Sequence, residues 1–203
     1  MTKIILPVFY FPTVSWFAEF FRNDVEITLE QSENFPKQTY RNRANIYGAN
    51  GKLSLIIPMQ HSGSKDMKSI QVSDQENWRG QHWKSIVSAY KGSPYFDFYE
   101  DRLKAIFESS ETSLLKLNLS IIEMVQKILK TEVQFDLSSE YVKDFEGEDF
   151  REHWSAKKSD SLNHPEYYQT FSEKHGFVEN LSIIDLICNE GPEAISYLKS
   201  LSK

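Results

Sequence analysis

Cysteine is nearly absent from this chain, with Cys188 the only one in 203 residues. A lone cysteine excludes an internal disulfide and a cysteine-caged zinc site. Its neighbours Ile183, Ile184, Leu186 and Ile187 suit a buried structural thiol better than a nucleophile. Histidine is scarce too: there are five, none paired at metal-ligand spacing, so no metal is expected. A Gly-rich phosphate loop and a Gly-x-Ser-x-Gly elbow are both missing, and nothing calls for a cofactor. Positive charge is in deficit, 23 Lys and Arg against 29 Asp and Glu. A net charge of −6 argues against a nucleic-acid binder, which needs a broad basic face. No apolar run approaches the roughly 20 residues of a membrane-spanning helix. The amino terminus, Met1 to Pro7, lacks the apolar segment and cleavage site of a signal peptide, so the expected compartment is the cytoplasm. With no internal repeat and no clear second domain, residues 1–203 read as a single domain.

What the chain has in plenty is aromatic side chains, 14 Phe, 10 Tyr and 4 Trp. They supply a core, or pockets walled by rings with polar tips. Lys3 to Phe11 reads as a strand apolar on both faces. Pro12 suits the first turn of a helix whose apolar face is Trp16, Phe17, Phe20 and Phe21. Strand, sharp turn and helix form the crevice in which α/β proteins tend to bind ligands, and Tyr10 and Thr13 sit at that junction. Val25 to Glu30 alternates as a second strand. Ala44 to Tyr47 and Lys52 to Pro58 flank the Asn50-Gly51 signal of a hairpin. His61 to Lys68 is a polar loop, and Ser69 to Ser73 suits a short edge strand.

Beyond Ser73 the period turns helical. Ser73 or Asp74 can cap a helix carrying Trp83, Ile86, Val87 and Tyr90, and a further helix runs through Phe107. Ser113 to Leu129 is the clearest helix, apolar around more than half its circumference. Asn118 lies inside that apolar arc, where a buried amide must find partners or cost about 1–3 kcal/mol. Val133 to Phe135 reads as a short strand and Ser138-Ser139-Glu140 as a helix start. Residues 143–165, with Arg151, Lys157 and Lys158, read as a long loop or flap. Leu181 to Cys188 reads as an apolar helix, and Glu193 to Leu201 closes the chain. The expected class is therefore α/β: a mixed sheet with an amino-terminal strand-turn-helix and hairpin, then a mostly helical carboxyl-terminal half.

The densest chemistry lies between Asn34 and Arg43, where Lys37, Gln38, Arg41, Asn42 and Arg43 fall on one connection of an acidic protein. Arginine forks suit carboxylates and phosphates, because fixed donors meet two oxygens at once. If Thr39 to Asn45 is extended, Arg41 and Arg43 share a face and need an anion, or carboxylates such as Glu30, between them. Substrate contacts are therefore assigned to Tyr10, Lys37, Gln38, Arg41, Asn42, Arg43 and Asn118. Proton transfer is assigned to His82 and His175, since imidazole titrates near neutral pH. The implied partner is an anionic small molecule such as an acyl donor or nucleotide sugar.

In order and spacing these motifs resemble the WbqC-like protein family over nearly the whole chain. The likeness rests on Tyr10-Phe11-Pro12 with Trp16-Phe17, on Gln38-Thr39-Tyr40-Arg41-Asn42-Arg43, and on Gln81-His82-Trp83. It continues through Ser93-Pro94-Tyr95-Phe96 and Leu117-Asn118. Lys174-His175-Gly176-Phe177 and Asn189-Glu190-Gly191-Pro192-Glu193 resemble one branch. The resemblance implies a place beside bacterial surface-polysaccharide synthesis, as an acyl- or aminoacyl-(glycine-)transferase. The alternative is a non-catalytic protein that binds an anionic small molecule or a protein partner. One departure is plain: the family's His-Gln-Pro or Gln-Pro run before the aromatic turn is replaced here by Leu6-Pro7-Val8-Phe9.

Overall fold

Ile4, Ile5 and Leu6 are wholly buried, so strand β1 (Thr2–Pro7) is covered on both faces, as its unbroken apolar run predicts. Parallel to it lies β2 (Val25–Glu30), with Ile4 opposite Ile27 and Leu6 opposite Leu29. Two shorter strands complete the sheet in the order β5-β2-β1-β6: β5 (Phe135–Leu137) beyond β2, and β6 (Glu148–Asp149) against the free side of β1. All four run parallel, so their carboxyl ends emerge along one edge. The chain builds outward from β1 on one side and then returns to its other side. The crevice outside the carboxyl ends at such a reversal is the usual ligand site of open α/β sheets. The computed structural model of the chain describes residues 1–60, 63–155 and 163–201.

β1 stops at Pro7, four residues short of the expected end. The backbone of Val8 to Tyr10 is bonded elsewhere: the Tyr10 amide donates to the Tyr40 carbonyl at 2.9 Å, and the Asn118 side chain reaches the Val8 carbonyl. Phe11 then takes a φ of 41°, a left-handed conformation that costs a bulky residue and cannot continue a ladder. Helix α1 (Val14–Phe20) begins after Thr13, whose Oγ1 accepts from the Trp16 amide, so Pro12 precedes the cap instead of forming the first turn. The indole of Trp16 donates to the Pro7 carbonyl at 2.9 Å and stacks on Phe20 at 5.1 Å. That ties the helix back across the end of β1.

The predicted hairpin forms from β3 (Arg43–Gly48) and β4 (Gly51–Ile56), closed by Ala49-Asn50 and by Gly51 at φ 97°. Residues 40–41 are in a turn, residue 42 is a bend and β3 starts only at Arg43, so the condition of an extended run from Thr39 to Asn45 is not met. The helical half follows with α2 (Trp78–Tyr90), α3 (Phe96–Glu108) and α4 (Leu114–Leu129), then α5 (Ser172–His175), α6 (Ile183–Glu190) and α7 (Ala194–Leu201). Helix α2 is capped by Asn77, whose Oδ1 accepts from the Gly80 amide, and not by Ser73 or Asp74. Those two are engaged already, the Ser73 amide with the Pro58 carbonyl and Asp74 Oδ1 with the Trp78 indole.

Two short expectations give way to longer-range bonds. Instead of an edge strand, Gln71 and Val72 make isolated bridges to Ser113 and Met59. Ser138 starts no helix: its amide extends the β5 pairing to the Leu29 carbonyl, and its hydroxyl donates to Glu30 at 2.6 Å. The segment expected as a flap carries β6 and a buried Arg151. Lys157, Lys158 and His61 lie outside the described residues.

Candidate functional site

At the carboxyl edge of the sheet the connection after β2 folds back over the exit of β1, and three carbonyls hold it there. Tyr40 O receives the Tyr10 amide, Arg41 O receives the Asn118 side chain at 2.8 Å, and Asn42 O receives the Ile57 amide at 2.9 Å. Asn42 closes the last contact from its own side, donating to the Ile57 carbonyl at 2.9 Å. Asn118, fully buried in α4, thus bonds two backbone segments with its amide nitrogen, while its Oδ1 has no partner.

The arginines of this edge differ sharply in their company. Arg41 is 2% exposed and bidentate to Glu33, at 2.6 and 2.7 Å, with a third bond to the Arg151 carbonyl. Arg151 in turn grips Asp149 at 2.6 Å and Glu30 at 3.2 Å. These fork-to-fork pairs explain how two guanidiniums sit inside the fold, since a buried charge without its partner would be strongly destabilising. Burial raises the Glu33 carboxyl, Arg41 pulling it back only in part. Arg43, half-buried at the start of β3, makes no ion pair among the described residues, and its buried Nε has no hydrogen-bond partner. Lys37 and Gln38 are exposed on the same connection, Gln38 at a φ of 62°.

Tyr10 and His82 meet beneath this connection. The Tyr10 oxygen lies 2.9 Å from His82 Nδ1, and the backbone of Ile56 bonds the imidazole as well. Because a carbonyl can only accept, the ring proton belongs on the Ile56 side, and the Tyr10 hydroxyl donates to Nδ1. Burial pushes His82 down to about 4 and lifts Tyr10 well above the usual phenol value, so both are neutral at pH 7. His175 is not part of this group. It is exposed, bonded to the Ala49 carbonyl at the hairpin tip, whereas His82 touches Ile56 at the hairpin base. The strand between those contacts, Gly51 to Ile56, spans roughly 17 Å. The two histidines therefore face different ends of the hairpin.

The crevice between β1 and α1 is filled by the chain itself. The amides of Val14 and Ser15, free in a bare helix start, donate to the Leu181 carbonyl and to Asn180 Oδ1 at 2.9 and 3.0 Å. The Ile183 amide returns a bond to the Pro12 carbonyl. No anion can use that helix start while Asn180 to Ser182 occupies it. A cavity of about 500 Å³ opens at the opposite, amino end of the sheet, between Thr2, Asp24, Glu148 and Trp154, and takes in none of the candidate site residues named from the sequence. Sequence reasoning missed Glu33 as the partner of Arg41, having named Glu30. It also missed Asp185, wholly buried beneath Tyr167 at 2.7 Å and Gln169 at 2.8 Å. The trace of Asp185 in the sequence is an acid set between the apolar pairs Ile183-Ile184 and Leu186-Ile187.

A family model described as the WbqC-like protein family matches residues 8–151 and 143–197. The chain is 25% identical over 208 residues to the uncharacterized protein Rv1507c of Mycobacterium tuberculosis (strain ATCC 25618 / H37Rv), a match covering 86% of this chain and 87% of that one. No solved structure matches it. Among the described residues no helix is long and apolar enough to cross a membrane.

Proposed function

The chain belongs to the WbqC-like protein family, and from that premise we propose that it binds an anionic small molecule at the carboxyl edge of its parallel sheet. The reaction proposed for it is transfer of an acyl or aminoacyl group, glycine included, in bacterial surface-polysaccharide synthesis, with an acyl donor or a nucleotide sugar as the anion. One observation carries the binding half. Of the three arginines at this edge, Arg41 and Arg151 are neutralised by carboxylates, and Arg43 has no carboxylate partner among the described residues. A half-buried guanidinium with an unanswered donor suits an anion supplied from outside, met in the same forked geometry that Arg41 gives Glu33. Lys37 and Gln38 would approach the same ligand from the exposed turn, with Asn42 and Asn118 fixing the connection that carries them.

The transfer half draws on Phe11 and its neighbour. A backbone strained at φ 41°, directly after Tyr10, is a conformation usually kept where function repays it. In this reading Tyr10 and His82 hold the polar floor of the site, and His175 fixes the hairpin tip. A second reading, a binding protein without catalysis, is favoured by His82 itself: both sides of its ring are committed to Tyr10 and Ile56. Incubation of the protein with acyl and aminoacyl donors and nucleotide sugars, followed by mass spectrometry of the acceptor, separates the two. Acylated acceptor that is lost in His82→Ala and Tyr10→Phe supports transfer with His82 taking part. Turnover unchanged in His82→Ala removes that residue from the mechanism, and stable binding with no product in any pairing favours the second reading.

A further inference from the structure

A separate groove lies where α3, the end of α4 and the turn at Gly191-Pro192 converge. Tyr95, Phe98 and Tyr99 form one wall, and Ile128, Leu129 and Pro192 the floor, around a volume of about 390 Å³. That size falls within the range of small-molecule sites. Phe98 is 75% exposed, a large apolar face turned to solvent beside the Tyr95 ring at 6.1 Å. Asn118 and Ile128 stand ten residues apart on α4, so the groove is roughly 15 Å along that helix from the carboxyl-edge site.

The charged residues that line it are of one sign. Arg102 and Lys130 are its only charged lining residues, and neither makes an ion pair among the described residues. This is notable in a chain whose net charge is −6. Of the acids of α3, Asp97 and Glu100 are paired with Lys91 at 2.8 and 3.0 Å, while Asp101, next to Arg102 in the chain, makes no ion pair among the described residues. Helix α3 begins beside Tyr95 of the groove without a side-chain cap, with Asp97 in its first turn. The walls are set: Gly191, at φ 52°, leaves room for the Tyr95 ring to lie against its backbone, where any Cβ would collide. Lys130 holds the left-handed turn that ends α4.

We propose that this groove is a second ligand site, for a small soluble organic acid with a flat apolar body. Its ring would lie among Tyr95, Phe98 and Tyr99, and its carboxylate would meet Arg102 and Lys130. Ring stacking and a forked arginine contact both act at short range, so the two parts must be joined in one molecule.

Fluorine NMR of 4-fluorophenylacetate with the full chain tests this, against 4-fluorophenethylamine, which has the same ring and the opposite charge. The acid should broaden saturably and the amine should not. Arg102→Gln with Lys130→Asn should weaken the acid at least about tenfold, since a charge-assisted pair is lost. Asparagine keeps the left-handed turn, and thermal denaturation of the variant confirms its fold. Phe98→Ala should weaken it as well. Equal response to acid and amine overturns the proposal, as does indifference to either variant. Self-association in sedimentation that Phe98→Ala abolishes and the acid does not disturb also overturns it, and assigns the groove to a second copy of the chain.

Discussion

The hydroxyl of Tyr10 donates to Nδ1 of His82 across 2.9 Å, joining the segment that follows β1 to α2 over 72 residues of sequence. Both groups are buried, so the bond is worth more than a surface one. Tyr10→Phe leaves Nδ1 buried without a donor and should cost about 1–3 kcal/mol in urea unfolding. A loss near zero would mean that water or a shifted side chain serves His82 instead.

Acid titration should show His82 and Asp185 working against each other. His82 is at about 4 in the fold against 6.5 for free imidazole. Its contribution is whole above about pH 6.5 and lost as pH falls toward 4, about 3 kcal/mol in all. Asp185 is raised by burial to about 6 from 3.8. Its charged form is the penalised one, so the fold gains about 3 kcal/mol as pH falls from 6 to 4. The two windows overlap and offset. His82→Gln should therefore be more stable at about pH 4.5 than at 6.5, and Asp185→Asn less stable. Slopes of the same sign in both variants would contradict this assignment.

Arg41 and Glu33 should behave as a unit. Arg41→Met or Glu33→Leu alone strands a buried charge and should cost about 3–5 kcal/mol, while the double variant should recover most of that loss. Urea midpoints for the four proteins close the cycle. Additive losses would mean that the pair does not interact.

Asn180 should matter far from any ligand. Its Oδ1 caps Ser15 and its backbone sits at φ 48°. Asn180→Ala should cost about 1–2 kcal/mol through both effects, and hydrogen exchange at the Ser15 amide should quicken. An unchanged Ser15 rate would show that another group holds that amide.

Local chemistry was legible in the sequence and long-range pairing was not. The two-sided apolar run of β1, the Asn-Gly turn between β3 and β4, and the wide apolar arc of α4 each follow from a period or a turn preference. Asn118 was legible as a buried amide needing partners, and it has them in Val8 and Arg41. The two-residue strand β6 carries no period at all; it exists because β1 presents a free edge. Arg41 looked like half of an anion clamp until Glu33 turned back on it from eight residues away, and nothing in the sequence tells Glu33 from Glu30 as the partner. The occupied start of α1 depends on Asn180, 165 residues beyond Ser15. Spacing cannot reveal a contact of that range.

The direct test of the account is whether Arg43 holds an anion. Thermal shifts should be recorded for the wild type and for Arg43→Gln across a series of nucleotide sugars, acyl phosphates and aminoacyl donors. A ligand that binds the folded chain at a hundredfold excess over its Kd stabilises it by about 2.7 kcal/mol, which a melting curve resolves. At least one anionic donor should raise the melting temperature of the wild type, and that rise should vanish in Arg43→Gln while the unliganded melting temperature stays close to the original. A rise that survives Arg43→Gln in full would place the anion elsewhere and contradict the central claim.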